Sequence, residues 1–171
     1  MLQKYSNIFW HEGVKIFKVN ILDTENGRIR VDHLENDVTK ALLNVFEHCG
    51  DKVLSAFLRM INVKKAPSAF EYDFQVTESE KISQQTTKIM LSIVSNSFQT
   101  KSYPKYSVER SRPDACNYSA DTAILIEAKT QSPLIEEQID SHIKEYLGSS
   151  AIKRIITWED ISERFNNFLA F

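Results

Sequence analysis

The stretch from Thr122 to Lys129 restricts the fold of this chain more than any other. Ala123 through Ile126 are apolar without a break, and Glu127, Ala128 and Lys129 follow directly. A strand with one wet face alternates apolar and polar residues, whereas a strand covered on both faces need not. This segment is therefore predicted to be the central strand of a sheet flanked by helices, in an α/β fold. The two-residue period also places Ala123, Leu125, Glu127 and Lys129 on one face, with Ile124, Ile126 and Ala128 on the other. One apolar face thus ends in a carboxylate and an ammonium. Burying such a pair for stability alone is usually inferior to hydrophobic packing, so a functional site is the better account of it.

The neighbouring segments fit that frame. Ala115 to Tyr118 reads as a strand joined to the central one by a short polar turn. Ser132 and Pro133 resemble a helix cap and first helical residue, with Glu136 and Glu137 early and Gly148 after the end, which predicts a helix over about 133–147. Ile152 to Thr157 is a short apolar strand, and Trp158 to Leu169 an amphipathic helix. Upstream, Leu34, Val38, Ala41, Leu42, Val45 and Phe46 recur at helical spacing before Gly50, and a second helix spans Asp51 to Ile61. Ala69 to Val76 alternates as a half-buried strand, while Lys81 to Phe98 fits either a helix or a buried strand. Asn26 and Gly27 between two apolar segments predict an N-terminal β-hairpin over 12–32. The chain of 171 residues is read as one domain: that hairpin, a core over 34–157 and a C-terminal helix over 158–171.

Three polar residues interrupt faces that should be apolar. At roughly 100° per residue, Glu35 falls inside the arc of Val38, Leu42 and Phe46, where an unpaired carboxylate is costly to desolvate. It either lies at the edge of the core, where the helix dipole favours it, or points at a cation. Gln138 and His142, four apart, share the stripe of Leu134, Ile135, Ile139 and Tyr146. His142 alone reads as a satisfied, partly buried histidine; the pair reads equally well as site lining. A hard divalent cation takes oxygen ligands, which Glu127, Asp114 and the backbone oxygen of Ala128 could supply if Asp114 lies on the adjacent strand. Lys129 beside it could orient or deprotonate a water and oppose developing negative charge.

Arg112-Pro113-Asp114, twelve intervening residues, then Glu127-Ala128-Lys129 resembles the PD-(D/E)xK signature of the restriction-endonuclease-like nucleases. The surrounding order of elements is similar to that family's αβββαβ core around a mixed sheet. The resemblance implies a nuclease cutting DNA, with RNA the other candidate, in genome defence or repair. It implies Mg²⁺, with Mn²⁺ as substitute, held by Asp114 and Glu127, Lys129 positioning the nucleophile and Glu35 as a further ligand. Gln138 falls where one exonuclease-like branch carries a glutamine, although this chain has His142 where that branch has tyrosine.

Composition bounds the rest. With 21 basic and 23 acidic residues the net charge is -2, so no global field draws the chain to phosphate or to an anionic membrane. Nucleic-acid contact then depends on a local patch, for which Lys101, Lys105, Arg110 and Arg112, joined by His142, are the candidates; a solvated loop is the other reading of the segment. Cys49 and Cys116 show no zinc spacing and read as reduced thiols. No apolar run reaches the ~18 residues of a membrane span and no signal peptide is evident, so a cytoplasmic protein is expected. With only four glycines the sequence carries no glycine-rich phosphate loop, which disfavours a nucleotide-dependent enzyme. The apolar end, Phe165, Phe168, Leu169 and Phe171, suggests an interface with a second copy or a partner protein. The alternatives to a nuclease are a catalytically inactive binding subunit of the same fold, or a small-molecule or protein-interaction domain in which Glu127 and Lys129 are structural.

Overall fold

The computed structural model describes residues 31–64, 70–76, 82, 84–95, 100–101 and 112–169. Two helices come first, α1 (Val31–His48) and α2 (Asp51–Met60). Strands β1 (Glu71–Phe74), β2 (Thr87–Val94), β3 (Thr100–Lys101), β4 (Ala115–Tyr118), β5 (Thr122–Ala128) and β6 (Leu134–Ile135) follow. The chain ends with helix α3 (Glu136–His142), running into a π turn over Ile143–Leu147, strand β7 (Ile152–Thr157) and helix α4 (Trp158–Leu169). Five strands make a mixed sheet in the order β1-β4-β5-β2-β7, and β3 and β6 form a separate parallel pair.

β5 is a central strand, as its unbroken apolar run requires, and every one of its residues is buried. It runs antiparallel to β4 and parallel to β2, which in turn is parallel to β7. Both faces are covered. Ile89, Leu91 and Ile93 of β2 with Ile124 and Ile126 of β5 share a core with Leu42 and Phe46 of α1, Phe57 and Leu58 of α2 and Ile161 of α4. Met90 and Val94 of β2 with Ala123 and Leu125 of β5 pack on the opposite face with Ile139 of α3 and Tyr146 and Leu147 of the π turn.

Several expectations change. The segment left open between helix and strand is the strand β2, whose apolar residues serve both cores at once. Most of the hairpin expected over 12–32 lies outside the described residues, but Val31 and Asp32 belong to α1. β1 is shorter than its alternation suggests, because Gln75 adopts a left-handed φ of 55°. That turn sends Val76 into the opposite core from Tyr72 and Phe74. The helix expected from 133 begins only at Glu136, since Leu134 and Ile135 pair with Thr100 and Lys101 and the Ser132 hydroxyl is engaged elsewhere. Phe165 packs against Phe46, with ring centroids 6.5 Å apart, so that part of the terminal apolar stripe belongs to the core. The side chains of 168 and 169, and residue 171, lie outside the described set. Among the described residues no helix is long and apolar enough to cross a membrane.

Candidate active site

The carboxyl ends of three adjacent parallel strands stop level with one another. Ile93 of β2 stands beside Ala128 of β5, and Val94 of β2 beside Thr157 of β7. In open α/β sheets the crevice beyond such ends is the usual position of a binding site. Here it receives Lys129 from just after β5, Trp158 from the start of α4, Glu35 from α1 and Asp114 from just before β4. Continuing the β4–β5 register one residue past Ala115 and Ile126 sets Asp114 opposite Glu127. This cross-strand relation is what the spacing of the two acids in sequence encodes.

Each side chain is held by contacts from a different element. Asp114 Oδ2 accepts a hydrogen bond from Ala128 N at 2.7 Å. Glu127, only 1% exposed, faces Lys129 Nζ at 2.8 Å through Oε1. The same oxygen accepts from Gln138 Nε2 at 2.7 Å, and its Oε2 lies 3.2 Å from His142 Nε2. The backbone of Lys129 is fixed on both sides: its N–H donates to Ile93 O at 2.7 Å and its carbonyl accepts from Trp158 Nε1 at 3.2 Å. Its ammonium also stands 3.5 Å from Glu35 Oε2.

Glu35 is buried as its misplaced polarity on the helix requires, yet its partners come from the protein. Oε1 accepts from Ser132 Oγ at 2.6 Å and Thr130 N at 3.1 Å, while Oε2 faces Lys129. It therefore anchors the segment leaving β5. Ser132, read from the sequence as a helix cap, is captured by this carboxylate instead.

Electrostatics divide the two central acids. Asp114 is pushed up to about 7, first by burial and then by the neighbouring Glu127 charge, against the pull of the Ala128 N–H and Lys129. Burial acts on Glu127 in the same direction, but its His142 contact and the Lys129 charge together hold it below the usual carboxylate range. Burial alone would lower Lys129; the charges of Glu127 and then Glu35 reverse that and raise it. An ammonium so stabilised is a hydrogen-bond donor and a poor proton acceptor, which suits orienting a water better than deprotonating it, the two roles expected of Lys129.

Of the residues singled out in sequence, Asp114, Glu127, Ala128, Lys129, Glu35, Gln138 and His142 converge. His142 does so in a different capacity from the nucleic-acid contact expected of it: at 0% exposure it cannot touch a macromolecule. Arg112 is exposed two residues before Asp114, whereas Lys105, Arg110 and the side chain of Lys101 fall outside the described residues. Thr130, Ser132 and Trp158 were not foreseen. Their contacts with Glu35 and Lys129 span 95, 97 and 29 residues and leave no local trace. Ser92, buried in register with Glu127, did leave one, as the lone hydroxyl between Leu91 and Ile93.

The residues present suit a hard cation in part. The Asp114 and Glu127 carboxylates, the first raised by burial and then by the charge of the second, would gain from a cation between them, and the buried Glu127 Oε2 meets no polar group beyond His142. Among the described residues, no three of His, Cys, Asp and Glu already stand together as a ligand set. No family model matches the chain, and no curated protein or solved structure matches it either.

Proposed function

We propose that this protein is a metal-dependent nuclease that hydrolyses phosphodiester bonds, with DNA as its substrate and Mg²⁺, replaceable by Mn²⁺, as its cation. The observation that carries this reading is the β4–β5 register, which continued by one residue sets Asp114 opposite Glu127 at the carboxyl end of the parallel strands, with the Lys129 ammonium 2.8 Å from Glu127. Two acids and a lysine brought to one buried edge make a poor device for stability and a good one for phosphoryl chemistry.

Asp114 and Glu127 would hold the cation, and the carbonyl of Ala128, which directly follows Glu127, is the remaining oxygen of the set. A bound divalent cation supplies polarisation of the phosphate and a lower pKa for water. Lys129 remains charged, oriented by Glu127 and by the two backbone contacts that fix its main chain. Its role is to donate to the attacking water or to a phosphate oxygen and to oppose charge that accumulates in the transition state. Glu35 holds Lys129 and the 130–132 segment in place. The exposed Arg112, beside Asp114, is the described member of the candidate phosphate-contacting patch.

A second reading has its own support. Lys129 lies between Glu127 and Glu35, a cluster that neutralises part of its own charge without a metal. That arrangement would suit a nucleic-acid-binding or partner-binding subunit that does not cut. Incubation with linear, circular and single-stranded DNA and with RNA, in Mg²⁺, Mn²⁺ or EDTA, separates the two. The nuclease reading expects cleavage that requires the cation and falls by roughly 10²–10³-fold or more in Lys129→Ala and Glu127→Ala. Wild-type protein inert on every substrate, with no cation binding by calorimetry, would sink it.

A further inference from the structure

His142 is the residue whose surroundings are least explained by packing. Its side chain is fully buried, and neither ring nitrogen has a hydrogen-bond partner among the described residues. A histidine kept only for its shape normally satisfies one nitrogen on a backbone group, and an apolar side chain would fill the same space without stranding two polar atoms. One direction of the ring is nevertheless specific. Nε2 lies 3.2 Å from Glu127 Oε2, and that buried oxygen accepts from no other group. At that distance a hydrogen bond donated by Nε2–H to Oε2 would satisfy both atoms. Tyr146 packs edge-on to the imidazole, centroids 6.2 Å apart at 69°.

The placement along α3 adds a second relation. Gln138 donates to Oε1 of the same carboxylate, and His142 follows four residues later on the same face of the helix. The two oxygens of Glu127 are thereby gripped from one helix, one by each residue. The chain departs from α-helical geometry directly after His142, where the π turn begins. Such turns recur at functional sites.

We infer that His142 is a positioning residue which, together with Gln138, fixes the Glu127 carboxylate in the orientation that binds the divalent cation. The inference rests on the nuclease reading above and adds to it a residue that touches neither substrate nor metal. The Nε2–H tautomer and the imidazolium both serve, because Nε2 donates in either. Groups that orient a metal-binding side chain in this way typically change metal affinity by 10–100-fold when removed.

The test is titration of Mn²⁺ by isothermal calorimetry into wild type, His142→Phe and His142→Gln, with melting temperatures measured in EDTA. The phenylalanine ring fills the space without a donor; the glutamine amide restores one. We expect His142→Phe to melt in EDTA within a few degrees of wild type yet bind Mn²⁺ 10–100-fold more weakly, and His142→Gln to recover most of the affinity. If the phenylalanine variant does not fold, His142→Leu takes its place in the same comparison. A folded apolar variant that binds Mn²⁺ as tightly as wild type overturns the inference and leaves the nuclease reading standing. Absence of Mn²⁺ binding by wild type overturns both.

Discussion

The hairpin of β4 and β5 has two ends, and they handle polar residues in opposite ways. At the turn, Ser119 N donates to Thr122 O at 2.8 Å and the Thr122 hydroxyl to Asp121 Oδ1 at 2.9 Å. The Asp121 carbonyl accepts from the backbone of Thr86 and Thr87 at 3.1 and 2.9 Å. These partners lie within the turn or at the start of the neighbouring strand, and the arrangement is what a stable turn needs. At the other end, Asp114, Glu127 and Lys129 meet Glu35, Gln138, His142 and Trp158 from three helices. There one acid is pushed up to about 7 by burial and by its neighbour, and buried atoms of Glu127 and His142 lack partners. The same two strands thus carry one end whose polar groups are satisfied locally and one that keeps a raised acid and unsatisfied buried atoms, as would be expected of a site built into a scaffold.

The contrast can be broken or sharpened by experiment. The largest effect on stability is expected at Glu35, which joins Thr130, Ser132 and Lys129. Glu35→Ala leaves the Thr130 amide and the Ser132 hydroxyl without their acceptor and Lys129 with Glu127 as its one remaining carboxylate partner, and should cost about 3 kcal/mol in urea denaturation. A loss below about 1 kcal/mol, as an exposed ion pair gives, would mean that the site end is held no more tightly than the surface.

Asp114 should show the opposite sign. Its folded-state pKa is raised, so the native state keeps a proton that the unfolded chain releases, and stability falls as pH rises from about 4 to about 7. Above that window the ionised Asp114 continues to weigh against the fold. Asp114→Asn should therefore raise stability at pH 8 in EDTA by about 2 kcal/mol, roughly half of what the full shift implies, given partial solvent screening. The gain should vanish near pH 4 and shrink when Mn²⁺ is added. Glu127 behaves inversely: its pKa is lowered, and the stability it contributes is lost only below the ordinary carboxylate range. Melting curves of the asparagine variant that are flat with pH, or lower than wild type at pH 8, would remove the distinction between the two ends.

The smallest change is expected at the turn. Asp121→Ala removes the acceptor of the Thr122 hydroxyl but leaves the backbone bonds, for a loss of about 1 kcal/mol with no dependence on divalent cation. If added Mn²⁺ altered the stability of this variant and of wild type by different amounts, the two ends would be coupled.

Much of the site could be read from local pattern. The two-residue period set Glu127 on a buried face, the helical period exposed the misplaced Glu35, and four-residue spacing paired Gln138 with His142. Each signal is a polar residue that violates the periodicity of its own element, which needs no knowledge of what lies opposite. The contacts of Thr130, Ser132 and Trp158 violate no period and so gave no warning. Nor could a helical stripe distinguish a histidine that faces solvent from one that faces a carboxylate. The segment over 81–98 was ambiguous for a related reason: an apolar run buried on both sides has no periodicity from which to choose helix or strand.

By itself, the sequence determined that Thr122 to Ala128 would be doubly covered, and that a carboxylate and a lysine would emerge together at its end, because alternation along a strand is a local property of the backbone. Only the tertiary structure decided their partners. The level ending of β5, β2 and β7 and the antiparallel return of β4 brought Asp114, Glu35, Gln138 and His142 to that edge. Burial there then set the two acids apart in proton affinity. Desolvation and charge proximity are properties of the assembled interior, and no stretch of chain possesses them alone.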